Sequence, residues 1–191
     1  MRTVIQMNTM RERFVYSITS NFSSLNRNDF VEKGVKHIQI KVHDINSSED
    51  EFGELYPVAF IDCRIYNPMR SMHEAIDLFD TDHGDTFVTA EAILKNKGVC
   101  FDDMDFIVYL DDIFVEDRVN CREVKAFLYA NIKEIINEVM WIDPDIIMMA
   151  AENEDEEWIS KARGMNENIE FAGIGKANNP KDQLRFYMEK A

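Results

Sequence analysis

Polar and apolar residues alternate from Lys36 to Asp44, in the order Lys-His-Ile-Gln-Ile-Lys-Val-His-Asp. A period of two sends successive side chains to opposite faces, so this stretch reads as a strand buried on one side. Tyr56 to Tyr66 (YPVAFIDCRIY) is rich in β-branched and aromatic residues and is expected to pair with it across the polar, acidic loop from Ile45 to Glu54. Beyond Pro68 the period lengthens. Ala75, Ile76, Leu78 and Phe79, then Phe87, Val88, Ala90, Ala92, Ile93 and Leu94, predict helix over 69–97, interrupted by the acidic run Asp80 to Asp85 and stopped at Gly98. Residues 106–115 (FIVYLDDIFV) carry the strongest strand pattern. Residues 121–140 carry the strongest helix, with Val124, Phe127, Leu128, Ile132, Ile135, Ile136 and Val139 on one face. Pro144 and Asp145 open a buried strand, Ile146 to Ala151, that contains Met148 and Met149. An acidic helix over 153–163 follows and ends at Gly164. Two strands, at 168–174 and 183–189, are joined through Asn178-Asn179-Pro180. Residues 10–33 show only scattered spacings of three and four, from Phe14 to Val31, and predict one or two short helices.

Strands flanking a long helix argue for an α/β (mixed α+β) fold, a central mixed β-sheet flanked by helices. The 191 residues suit a single domain: a helical N-terminal extension over 1–35 and a core over 36–190. Charge narrows the partners. Acids outnumber bases 36 to 21, for a formal net charge of -15. Such a field repels the phosphates of nucleic acid and of anionic membrane surfaces, and it suits a basic protein partner. The cysteines, Cys63, Cys100 and Cys121, are widely spaced and form no C-x-x-C pair, so no zinc ribbon or redox motif is expected. Met1 to Arg13 lacks the apolar run of a signal peptide, and no stretch reaches the roughly 18 apolar residues of a membrane span, so a cytoplasmic setting is expected.

The chemistry concentrates after the strongest strand. Leu110-Asp111-Asp112-Ile113-Phe114-Val115 leads through Glu116-Asp117-Arg118-Val119 to a predicted helix start at Asn120-Cys121-Arg122-Glu123-Val124-Lys125-Ala126. The first turn of a helix presents unpaired N–H groups and a partial positive charge, a natural seat for an anion. Arg118, Arg122 and Lys125 reverse the sign of an otherwise acidic chain there. Asn120 and Glu123 have the spacing of a capping box, in which each side chain satisfies the other's backbone N–H.

On these residues the chain resembles the GNAT superfamily of CoA-dependent N-acyltransferases. That family's signature is a strand, an acidic turn, and Arg/Gln-x-x-Gly-x-Gly/Ala opening a helix. The order of elements over about 36–190 also has counterparts in the family. The resemblance implies a GNAT-like sheet, acetyl-CoA as cosubstrate and an unknown amine as acceptor. It also implies a cofactor-binding stretch made of Ile113, Phe114, Val115, Arg118, Asn120, Cys121, Arg122, Glu123, Val124, Lys125 and Ala126. A homodimer is compatible with it. Asn120 stands where the family has its leading Arg or Gln, Cys121 and Glu123 stand near its glycines, and Lys125 stands where a small residue is usual. Acyl transfer to an amine needs a base, and Asp111 and Asp112, expected on opposite faces of the strand, are the catalytic candidates. The family's acid is often a Tyr on the helix after the next strand; here Trp158, Ile159 and Ser160 stand near that place.

Other groupings point to structure. Asp80-Thr81-Asp82-His83-Gly84-Asp85 departs from the calcium-loop spacing and reads as a capping turn, so no metal site is expected. His37 and His43 alternate with apolar residues and read as solvated, and His73 is isolated. Cys121 beside Arg118 and Arg122 has no His near it in sequence to activate it. Two functions remain: an acyl-CoA-dependent N-acyltransferase, or a non-catalytic relative that uses its acidic surface to engage a basic partner.

Overall fold

The alternating segments form strands β1 (Phe14–Thr19), β2 (Val35–Asp44), β3 (Pro57–Tyr66), β4 (Ile107–Val115), β5 (Ile146–Ala151), β6 (Ile169–Lys176) and β7 (Gln183–Lys190). The structure, a computed structural model, describes residues 12–19, 34–46, 55–68, 74–116, 120–176 and 183–190. The strands build one sheet in the order β1-β2-β3-β4-β5-β7-β6. β4 and β5 are parallel and every other neighbouring pair is antiparallel. The helices are α1 (Ala75–Asp82), α2 (Gly84–Lys97), α3 (Cys121–Ala130), α4 (Ile132–Met140) and α5 (Glu156–Met165), the last preceded by a 3-10 turn at Asn153–Asp155. This is the mixed sheet flanked by helices that the alternation predicts.

Each face of the sheet has its own core. Ile40, Ile61, Val108 and Leu110 pack with Phe127, Leu128, Ile136 and Trp158 beneath α3, α4 and α5. Tyr66, Tyr109, Met148 and Phe186 pack with Leu78, Phe79 and Ile93 beneath α1 and α2. α2 stops where Gly98 takes φ 66, a conformation in which a Cβ would meet the backbone.

Four local expectations fail. Residues 14–19 form a strand, not a helix: Phe14, Tyr16 and Ile18 alternate with more exposed Val15 and Ser17, and β2 supplies the partner edge. Phe14 is held under the sheet by Phe127, ring centroids 5.8 Å apart. The rest of the helical expectation for residues 10–33, at 10–11 and 20–33, lies outside the described residues, as do His73 and the Asn178-Asn179-Pro180 connection. The long helix over 121–140 breaks at Asn131, whose side-chain amide donates to the Phe127 carbonyl at 2.8 Å alongside its own backbone N–H at 3.2 Å. The acidic helix runs past Gly164 to Met165 and is closed by Asn166. The acidic run between α1 and α2 narrows to one non-helical residue, His83, which makes no side-chain cap.

Candidate functional site

The parallel pair defines a crevice. β4 and β5 pair only from Ile107 and Ile146 to Leu110 and Met149. Both strands continue, β4 to Val115 beside β3 and β5 to Ala151 beside β7, and the edges that would face each other part. α3 begins after β4 and α5 after β5, and the two helices pack together. The opening therefore lies beyond the carboxyl ends of two parallel strands, bordered by two helix N-termini, where open α/β sheets bind ligands.

A bulge sits where the strands part. Asp62 pairs with Asp112 and Cys63 with Leu110, which leaves Asp111 without a partner on β3. Leu110 and Ile113 both enter the core under α3 although they are an odd three positions apart, so the two carboxylates between them do not alternate across the sheet. This corrects the expectation of one on each face. Asp111 turns to Arg64 of β3, with Arg64 Nη1 2.5 Å from its Oδ1. The Arg64 side chain is 12% exposed and lies over the Tyr109 ring at 6.0 Å. Its Nε is 3.6 Å from Asp82 Oδ2, which also accepts the Tyr66 hydroxyl proton at 2.7 Å. His37 Nε2 lies 3.4 Å from the other Asp82 oxygen. The Asp111 side chain is 24% exposed. Burial pushes its carboxyl above the ordinary range, while the Arg64 charge, then those of His83 and His37, pull the other way. Asp112 is different. Its side chain is 64% exposed, lies opposite Asp62 and has Lys125 Nζ 4.0 Å away.

Arg64 and Asp82 are the partners that sequence pattern did not reveal. Arg64 sits in a strand that reads as ordinary alternation, and Asp82 in a run that reads as a turn. The β3–β4 register brings Arg64 to Asp111, and Asp82 meets Arg64 from the end of α1.

The remaining predicted residues divide. Ile113, Val115, Val124 and Ala126 are buried and serve the core, while Phe114 is exposed and leans on Phe60, centroids 6.3 Å apart. Asn120 is the N-terminal boundary residue of α3, but its side chain makes no capping bond, so the predicted capping box does not form; its carbonyl accepts the Val124 N–H at 3.0 Å. Cys121 is half-buried, in no disulfide, with Sγ 3.6 Å from the Glu116 carbonyl. Arg122 pairs with Glu157 of α5 at 2.6 Å, and Lys125 lies over the Trp158 ring at 5.8 Å. Glu123 is exposed. Arg118 lies outside the described residues. On α5, Trp158 and Ile159 are buried and Ser160 is exposed; the Trp158 indole donates to Asp155 Oδ1 at 2.8 Å. No three His, Cys, Asp or Glu side chains converge to hold a metal ion among the described residues. Among the described residues, no helix is long and apolar enough to cross a membrane.

No family model matches the chain, and no curated protein matches it in sequence. Solved structures do. A chain of the NatC complex bound to Gag peptide and CoA is 11% identical over 94% of this chain and 99% of its own length, with a TM-score of 0.50. Arabidopsis thaliana NAA60 in complex with acetyl-CoA is 10% identical over 81% of this chain and 76% of its own, with a TM-score of 0.49. An acetyltransferase from Bacillus cereus is 10% identical over 98% and 89%, with a TM-score of 0.43. The first likeness, together with the strand order, gives this chain the GNAT fold in a divergent form. At such identities the likeness is one of fold.

Proposed function

We propose that the chain is an acyl-CoA-dependent N-acyltransferase whose general base is Asp111. One observation carries the reading: a partly buried carboxylate stands at the bulge where the parallel strands separate, with its charge held by Arg64. The surroundings fit an acyl-CoA. Asn120 makes no side-chain cap on the first turn of α3, and the partial positive charge of a helix N-terminus suits a pyrophosphate. Arg122 and Lys125 border the same turn, and their ion pairs, to Glu157 and Asp112, are of the exposed kind that contributes about 0–1 kcal/mol. A phosphate can therefore replace either carboxylate at little cost. The acyl-CoA would supply an acyl group already activated as a thioester. Asp111 accepts a proton from the attacking amine, and its raised affinity for protons brings it closer to the ideal of a base working near neutrality. Arg64 keeps it ionised and aimed. Asp112, open to water on the next residue, helps to draw a cationic amine toward the crevice. The acidic-surface alternative gains no comparable observation.

A thermal-shift titration with acetyl-CoA tests the reading. Occupancy at about a hundred times Kd stabilises by about 2.7 kcal/mol. Absence of any shift at millimolar ligand removes the proposal. Glu123→Gly, which takes a carboxylate from beside the first turn, is expected to tighten binding about tenfold at surface-like dielectrics, and Arg122→Ala to weaken it by a similar factor. Affinity unchanged in both would place the ligand elsewhere.

A further inference from the structure

We propose that Asp82 is a positioning residue for Asp111: it shares the Arg64 guanidinium with Asp111, and through His37 it makes the aim of Arg64 answer to charge at the surface. The proposal rests on the reading of Asp111 as the base. His37, Arg64 and Asp111 lie in a row across β2, β3 and β4. His37 is the register partner of Arg64, and Arg64 reaches Asp111 at the bulge. Asp82, the last residue of α1, meets two of the three. Its Oδ2 is 3.6 Å from Arg64 Nε and its Oδ1 is 3.4 Å from His37 Nε2.

Arg64 is not locked onto either carboxylate. Its Nε and Nη1 are buried, yet neither makes an aligned hydrogen bond among the described residues. Charge therefore holds the guanidinium between Asp82 and Asp111, over the Tyr109 ring, and leaves it free to turn. Asp82 is better fixed. Its Oδ2 accepts the Tyr66 hydroxyl proton at 2.7 Å, and Thr86 Oγ1 of α2 lies 3.1 Å from that hydroxyl. His37 stands outside, 55% exposed, and histidine is the side chain that changes charge between about pH 5 and 8.

Protonation of His37 changes the sharing. With His37 neutral, one cation serves two carboxylates; with His37 protonated, two cations serve two. Asp82 then leans on the imidazolium, and Arg64, beside a like charge in the register, is left to Asp111. The new charge and the freed guanidinium both favour the carboxylate form of Asp111. Asp111 thus keeps its capacity to take an amine proton further into acid. The influence is reciprocal, so an ionised Asp111 favours a protonated His37. The other titratable groups in electrostatic reach of Asp111 are Asp62 and buried Cys63 of β3, Tyr109 of its own strand, and His83 after α1. His83 pulls toward the carboxylate, and Asp62 against it.

Carboxyl-carbon and imidazole NMR titrations of the full chain test this. They need neither acyl-CoA nor amine, so their outcome is separate from that of the acetyl-CoA titration. His37→Gln removes the surface charge and is expected to move the Asp111 titration to higher pH. Asp82→Asn keeps the shape and an acceptor for the Tyr66 hydroxyl, gives Arg64 wholly to Asp111, and is expected to move that titration to lower pH. By reciprocity, Asp111→Asn and Asp82→Asn are each expected to move the His37 titration to lower pH. His43→Gln alters a histidine of the same strand that bonds instead to Ser17 and the Leu55 carbonyl, and is expected to leave Asp111 as it is. If Asp82→Asn does not fold, His37→Gln against His43→Gln decides. An Asp82 that merely ties α1 to the sheet would lower the melting point in Asp82→Asn and leave both titrations unmoved, which overturns the proposal. An Asp111 shift as large in His43→Gln as in His37→Gln overturns it too. Coupled titrations in a chain that acetyl-CoA does not stabilise would sink the acyltransferase reading alone.

Discussion

Replacing Arg64 with Met removes the cation from Asp111 while keeping much of the apolar stem. With Nη1 2.5 Å from Oδ1, the charge centres lie about 4 Å apart, and the attraction is about 4 kcal/mol at a protein-like dielectric and about 1 kcal/mol in water. The side chains are 12% and 24% exposed, so the applicable value lies between these limits. In Arg64→Met the Asp111 carboxyl, already raised by burial, is thus expected to rise further. The sign for stability follows. A carboxyl raised in the folded state favours folding while protonated, and this contribution is lost as pH rises through the folded value. The variant should therefore lose stability between acid and neutral pH more steeply than the parent, by about 1–3 kcal/mol at neutrality. Side-chain carboxyl carbon NMR, with the Asp111 signal assigned through Asp111→Asn, reads the titration directly, and urea denaturation at several pH values reads the stability. An Asp111 titration identical in parent and variant would refute the electrostatic role of Arg64.

Asp44 should titrate in the opposite sense. Burial alone would raise its carboxyl, but Arg13 Nε at 2.6 Å and the Asn46 N–H at 2.9 Å hold it below the ordinary range. Its contribution is present above the unfolded value and lost as pH falls through the folded one, so Asp44→Asn should cost about 1–2 kcal/mol at neutral pH and nothing in strong acid, by urea midpoints. Tyr66→Phe removes the hydroxyl that donates to Asp82 at 2.7 Å and should destabilise by about 1.5–3 kcal/mol in the same assay. Gly98→Ala forces a Cβ into φ 66 at the end of α2 and should cost about 1 kcal/mol, seen as a lower Tm with an unchanged circular dichroism spectrum.

Periodicity carried the architecture. β2, β3, β4 and the face of α3 and α4 can be read from the spacing of Ile38, Ile40 and Val42 or of Val124, Phe127 and Leu128, because burial on one side leaves a regular trace in sequence. β1 could not be read with the same ease. Its alternation covers only Phe14 to Ile18 and stands inside a stretch of mixed spacings, and it becomes a strand because β2 offers an edge. The break at Asn131 depends on which way an amide turns, and the missing cap at Asn120 on a backbone angle; neither leaves a pattern. The site was half legible. Asp111 and the basic residues of the helix start were visible as charges in an unusual place. The bulge that separates Asp111 from Asp112 was not, since it arises from a slip in pairing between β3 and β4. Arg64 and Asp82 are ordinary polar residues in sequence, and only folding shows them to be partnered in the interior.

The ladder between β4 and β5 has four pairs, whereas each antiparallel ladder has six or more. The sheet is thus a four-stranded meander, β1 to β4, and a three-stranded unit in the order β5-β7-β6, sutured along a short line with α3 and α4 as the thread between them. A molecule lodged in the gap above that suture would touch both units and tie them together. Occupancy would then do more than raise the melting point. It would merge two cooperative units into one, so that amide hydrogens far out on β1 and β6 exchange in step when the gap is filled.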